Sequence, residues 1–440
     1  MRFSMLTAGA AALLAVGATS AHAQTTLTIG TVNNSDMIRM QGLTPEFEKD
    51  HPDIKINWVT LEENILRQRV TTDIATGGGQ FDIMTIGTYE VPIWAKQDWL
   101  KPLDNLGDDY AIDDLIPAIR SALSNDDKLY AAPFYAESVL TLYRKDLFEK
   151  AGLTMPEKPT WDFIAEAAEK ITDKDAGVYG ICLRGKPGWG ENMAFLGNMA
   201  REFGANYFDA DWKPQFESEG WKKAVSLYVD LMQKYGPPGA ASNGFNENLS
   251  LFGQGKCGMW MDASVAASFV TDPKQSQVPD KVGFAPAPCG IENCPNDGFN
   301  WLWAWSLAIP SSSQKAEAAQ TFISWATSKK YLELVADKEG WANVPPGTRT
   351  SLYENSKYTE AAPFADATLN AIKHADPSPT DDKPYYGLQF AAIPEFQGIG
   401  TAVGQQMAAA LSGSATVDQA LKQSQAIAER EMSRAGYPNK

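Results

Sequence analysis

Carboxylates and indoles recur in this chain at the ends of strand-like runs. Together they can take hydrogen bonds from hydroxyls while a flat ring covers a carbon face. Tyr135 and Glu137 stand two apart in LYAAPFYAESVLTLYR, Trp260 and Asp262 two apart in GKCGMWMDAS, and Trp189, Glu191 and Asn192 close together in RGKPGWGEN. Trp301, Trp303 and Trp305 share one face of NWLWAWSLAIP if that run is extended. Arg349, in PPGTRTS, could donate in a fork to ligand hydroxyls or pair structurally with an acid. Plainer readings stand beside these: Asp262 and the Asn33 to Asp36 loop as helix caps, the tryptophans as core.

Other chemistries are poorly supplied. Of three histidines, one lies in the leader-like N-terminus, and His51 and His374 have no Ser or Cys motif attached, so nucleophile-histidine catalysis is not expected. The cysteine spacings fit no zinc pattern, and no metal or other cofactor is expected. A net charge of -16 argues against a nucleic-acid partner, which would need clustered Lys or Arg. The rival reading is a secreted carbohydrate-active enzyme, with two carboxyl groups such as Glu137 and Asp262 at roughly 5 to 10 Å across a scissile bond.

The elements that would position these residues follow a regular order. Residues 1–23 carry Arg2, an apolar stretch and an Ala-His-Ala ending, the pattern of a cleavable signal peptide for export to a periplasm. The remaining chain is long enough for two or three lobes. LTIGTV, IKINWVT and FDIMTIG read as strands separated by helices, the first over 35–50 and the second ending at Gly77, which predicts a parallel sheet covered by helices. Ligands of such sheets lie beyond the carboxyl ends of strands, which nominates Asn34 and Tyr89. The apolar run through Pro133 to Glu137 reads as a strand leaving one lobe, a short hinge and a strand entering another. Return crossings are expected near 300–305 and 341–346, and Thr416 caps a closing amphipathic helix. Export favours oxidised cysteines. Cys289 and Cys294, which enclose the four residues GIEN and are flanked by prolines, are expected to form a disulfide, with Cys182 and Cys257 as buried free thiols.

FEKDHPDIKINW, GGGQFDIMTIG, the 129–152 crossing, GQGKCGMWMDAS and the tail helix together resemble the family 1 bacterial extracellular solute-binding proteins, the carbohydrate receptors of ABC importers. PGWGEN, NWLWAWSLAIP and YYGLQFAAIPEFQGIG resemble its polyol-binding group, which takes sorbitol and mannitol. The resemblance implies a two-lobed α/β fold of the type II periplasmic binding proteins, with parallel-type sheets in each lobe and several hinge crossings. Residues 24–134 and 303–342 would form the first lobe, and 135–302 and 343–440 the second. It implies a monomeric receptor that closes on a small polyol or sugar and delivers it to permease subunits in the inner membrane. By position, Asn34 and Tyr89 would face Glu137, Trp189, Asn192, Trp260, Asp262 and Arg349 across the cleft, with Tyr386 nearby. Where the family often has two glycines before the hinge strand, this chain has Trp303 and Ala304, and the bulkier ring would narrow the pocket.

Overall fold

The computed structural model describes residues 24–291 and 299–438. The expected leader over 1–23 and the expected disulfide partner Cys294 lie outside them.

The first sheet forms around β1 (Thr25–Val32), which pairs in parallel with β2 (Ile54–Leu61) and with β3 (Ile83–Ile86). Helices follow each strand. α1 (Ser35–Asp50) starts where the Asn34 side chain accepts from the Met37 amide, and α2 (Glu63–Thr76) starts where Glu62 accepts from the Asn64 and Ile65 amides. α3 (Glu90–Lys96) follows β3, and then comes β4 (Leu100–Lys101). A small hairpin of β5 (Ser124–Asn125) and β6 (Lys128–Leu129) precedes β7 (Ala131–Glu137), whose residues are all buried.

Only Ser138 separates β7 from β8 (Val139–Arg144), and the two strands belong to different sheets. β8 lies in a second sheet with β9 (Tyr179–Cys182), β10 (Cys257–Ala263) and β11 (Val282–Ala285), in the order β11-β8-β10-β9. Ser264, just past β10, clamps the crossing: its amide donates to the Ser138 carbonyl at 2.7 Å and its hydroxyl accepts from the Ser138 amide at 3.2 Å.

The chain returns on β12 (Trp303–Pro310), which completes the first sheet in the order β2-β1-β3-β12-β4 and pairs with β7 along its other edge. β12 runs antiparallel to β3, β4 and β7, because it enters from the second sheet and not through a helical crossover. The second sheet is also mixed, with β10 parallel to β9 and antiparallel to β8. The chain then passes beside β7 once more, as an irregular segment after Trp341–Asn343. The Ala136 amide donates to the Pro346 carbonyl at 2.9 Å, and Gly347 sits at φ +80 with its Cβ position 2.0 Å from the Ala136 carbonyl, a place only glycine fits. The helices Ala316–Ala326 and Lys329–Glu339 serve the first sheet, while Phe396–Leu411 and the Thr416-capped Val417–Arg434 pack on each other and on the second-sheet helix Glu219–Tyr235.

The cysteines correct the sequence-based expectation. Cys182 and Cys257 form a disulfide, with their Cα atoms 5.9 Å apart, because β9 and β10 are neighbours in the sheet although 75 residues separate the two in sequence. Cys289 is disulfide-bonded as well. Replacing Cys182 and Cys257 together by alanine should lower the unfolding free energy by about 2–4 kcal/mol. Urea titration with and without reductant checks this: without reductant the variant's midpoint should lie below that of the wild type, and reductant should lower the wild type more than the variant, which keeps only the Cys289 disulfide to lose.

Candidate functional site

The pairing of β7 with β12 sets Glu137 opposite Trp303 and Tyr135 opposite Trp305. These four side chains line a cavity of about 90 Å³ between the two sheets. Tyr135 is held by Asn34, whose Nδ2 donates to the phenolic oxygen at 3.0 Å while its Oδ1 caps α1 at 2.9 Å. Burial, then the neighbouring Glu137, pushes the Tyr135 hydroxyl well above its ordinary range, so it stays a neutral donor.

From α2, Arg67 enters the same space with only 4% of its surface exposed. Its guanidinium donates to Glu63 at 2.7 and 2.9 Å and to Glu90 at 3.0 Å. Its central carbon lies 3.9 Å from the ring centroid of Trp189 and 4.7 Å from those of Trp303 and Trp305. Trp189 belongs to the loop after β9, so the cation joins an element of the first sheet to an element of the second. Close approach of that loop depends on Gly190, where a Cβ would stand 2.3 Å from Glu63 and 2.8 Å from Arg67.

On the second-sheet side Arg184 is buried and bound to Asp262, with Nε at 2.9 Å and Nη2 at 2.6 Å, and its Nη1 donates to the Gly190 carbonyl at 2.8 Å. Burial opposes the Arg184 charge, and Asp262 more than restores it. At the cavity mouth Lys186 pairs with Glu62 on the opposite element and lies 3.4 Å from Glu191. Asn64 adds a bond of 3.2 Å to the Pro187 carbonyl. Glu191, 4% exposed, is pushed up to about 7 by burial and by Glu63, against the pull of Arg184 and Lys186.

Residues 34–333 match the family of bacterial extracellular solute-binding proteins. The chain belongs to that family. A mannitol-binding protein of Pseudomonas aeruginosa is 56% identical over 431 residues, covering 98% of each chain. Among solved structures, a solute-binding protein from Agrobacterium vitis S4 with bound D-mannitol is 67% identical, with a TM-score of 0.92 over 94% of this chain and 99% of that one. Another, from Agrobacterium radiobacter K84 in complex with ribitol, is 25% identical, with a TM-score of 0.81 over 92% and 98%. The two-sheet α/β architecture is the one these binding proteins share.

Within this solute-binding protein, Asn34, Tyr135, Glu137, Trp189 and Trp303 lie on the cavity wall. Three expected residues stand directly behind it. The Tyr89 ring is 4.5 Å from that of Trp189 and its hydroxyl donates to the Ile393 carbonyl at 2.9 Å. Asn192 braces the 184–191 loop, accepting from Gly188 at 3.2 Å and donating to the Gly404 carbonyl at 2.8 Å. Asp262 is consumed by Arg184, and the short helix after β10 begins only at Ala266, so it is not the cap of that helix.

The remaining three are off the wall. Trp260 lies behind the wall on the same face of β10 as Asp262: its indole N–H donates to Asp262 at 3.0 Å, and it packs on the wall residue Phe245 at 5.5 Å and on Phe252 at 6.1 Å. The wall receives Ala263 from this strand, and successive residues of a strand alternate faces. Arg349 is fully buried against the Tyr110 ring, pairs with Asp114 at 3.5 Å, and donates to the Thr327 carbonyl at 3.0 Å and the Ala111 carbonyl at 3.2 Å, so the structural reading of an acid-paired arginine matches its contacts. Tyr386 does not line the cavity, and its carbonyl accepts from the Ala392 amide at 2.8 Å. Sequence reasoning missed Arg67, Arg184 and Glu63. The four-residue spacing of Glu63 and Arg67 on a helix was a signal for a local pair, but not for its burial among indoles.

A carboxyl raised by burial favours folding in its protonated form. The Glu191 contribution is therefore complete below its ordinary value of 4.5 and is lost as pH rises through about 7. In the ligand-free protein Glu191→Gln should be more stable than wild type near pH 8, by on the order of 3 kcal/mol, and should match it near pH 4.5. Urea titrations at the two pH values check this, and an equal difference at both would show that the charge is not what burial penalises.

Proposed function

We propose that the chain is the periplasmic receptor of an ABC importer for a small polyol such as mannitol or sorbitol. It would take the ligand into the cavity between its lobes and present the closed form to the membrane permease. The observation that carries this reading is the wall itself. Indoles Trp189 and Trp303 offer flat faces for a carbon chain, and Tyr135, Glu137 and Arg184 converge on the same space as hydroxyl partners. A volume near 90 Å³ holds roughly six to nine waters at ~10–15 Å³ each, the scale of one six-carbon molecule and not of a chain of sugar rings. The relatives named for mannitol and ribitol support the same class of ligand.

The lobes would rotate about crossings at Ser138, ahead of Trp303 and near Val344, with 24–137 and 303–342 as one body and 138–302 and 343–440 as the other. The β7 strand extends the first body to Glu137. Export by a leader over 1–23 and action as a monomer belong to this reading. A hydrolase would need a second free carboxyl beside Glu137. Glu63 is tied to Arg67, and Glu191 lies within 3.4 and 3.6 Å of Lys186 and Arg184, which favours binding over bond cleavage.

Calorimetry of refolded, ligand-free mature protein should give micromolar or tighter binding of D-mannitol or D-sorbitol, about -8 kcal/mol or better, with the ligand recovered unchanged. Trp303→Ala should weaken it at least about tenfold, since stacked rings contribute on the order of 1 kcal/mol or more. Binding of glucose or maltose with no polyol binding would sink the polyol assignment, and consumption of a ligand would revive the enzyme reading.

A further inference from the structure

We propose that Glu137 sets the charge class of ligand that the cavity takes, favouring an amine-bearing polyol over its neutral parent and turning away the carboxylate form. This rests on the polyol reading above.

The wall carries carboxylates and cations in unequal measure. Its three cations are Arg67, Arg184 and Lys186, and each already has carboxylate partners. Arg67 is taken by Glu63 and Glu90, Arg184 by Asp262, and Lys186 by Glu62. Of the other wall carboxylates, Glu191 shares Arg184 and Lys186, and Glu247 accepts from the Gly244 amide at 2.8 Å. Glu137 differs from all of these. It is 6% exposed, faces the cavity, and among the described residues it has no hydrogen bond or ion pair to its carboxyl.

The charged groups that act on it most strongly are Arg184 from the loop after β9, Asp262 from β10, Glu63 from α2 and Asp36 from α1, while β12 opposite offers the uncharged Trp303. Arg184 is the one positive group among them, and Asp262 neutralises it. On its own strand Glu137 has the neutral hydroxyl of Tyr135. A ligand carboxylate would thus enter a site with no uncommitted cation and an excess of negative charge, at a large desolvation cost. An ammonium would meet a carboxyl that lacks a partner, in surroundings where a charge-assisted hydrogen bond is strong.

Buried and with no donor to its carboxyl among the described residues, Glu137 is held well above its ordinary range, which favours the protonated acid in the empty site. A neutral polyol leaves that proton in place, and the acid donates to a ligand hydroxyl. A protonated amine displaces it. The acid loses one proton to solvent, the carboxylate pairs with the ammonium, and no covalent bond forms or breaks. The preference for the amine therefore grows with pH until the amine itself deprotonates.

Calorimetry with the mature protein tests this, using D-mannitol, 1-amino-1-deoxy-D-mannitol and D-mannonate near neutral pH in two buffers of different ionisation heat. The amine should bind about tenfold or more tightly than mannitol and release about one proton, and mannonate should bind at least about a hundredfold more weakly. In Glu137→Gln the amine-to-mannitol affinity ratio should drop to one or below and the proton release should vanish. That ratio is read within each protein, so a general loss of affinity does not obscure it. Should the variant not fold, the wild-type ratio and proton count decide. Mannitol binding with no advantage for the amine, or mannonate within about tenfold of mannitol, overturns the assignment of Glu137 and leaves the polyol reading standing. Failure of mannitol and both derivatives to bind overturns the two together.

Discussion

One guanidinium holds the two halves of this protein in register. Arg67 arises from a helix of the first sheet, stacks on Trp189 from a loop of the second, and rests against Trp303 and Trp305 on the strand that joins them. A cation withdrawn from water over several rings is worth about 2 kcal/mol or more, yet its burial would cost several without counter-charges. Glu63 and Glu90 supply them. The closed arrangement thus depends on a cation that both elements are shaped to receive, with Gly190 leaving room for it.

Charge pairing follows the same rule on the opposite wall. Arg184 and Asp262 are both buried and engage each other in a fork, so the wall gains a fixed, rigid donor surface without a net charge. Lys186 and Glu62 repeat the pairing at the mouth, where solvent weakens it. The outcome is a polar cavity whose cations are committed and whose indoles are oriented before any ligand arrives. Such preorganisation lowers the entropy lost on binding.

The strand and helix order of the first sheet was legible because period-two alternation, capping residues and glycine stops are local signals. Asn34 caps α1 from its side chain, as the NNSD loop suggests, and the same amide fixes Tyr135 across 101 residues of sequence. The aromatic stripe of 301–305 was equally readable as an extended face, and three of its indoles reach the cavity. Trp260 failed for a physical reason: its strand is buried on both faces, so composition does not say which one meets the cavity. Asp262 failed for another, since its partner Arg184 lies 78 residues away.

By itself the sequence determined the α/β alternation, a lobe crossing near Pro133 to Glu137 that the structure places at Ser138, the family, and the residue types able to grip a hydroxylated ligand. These follow from short-range stereochemistry and from patterns a few residues long. The tertiary structure alone decided which carboxylates are spent on arginines, which one is left facing the cavity, which cysteines meet across β9 and β10, and that Arg349 is a structural cation. Each of those depends on distances between segments far apart in sequence, and a buried charge is defined by what lies within a few ångströms of it in space.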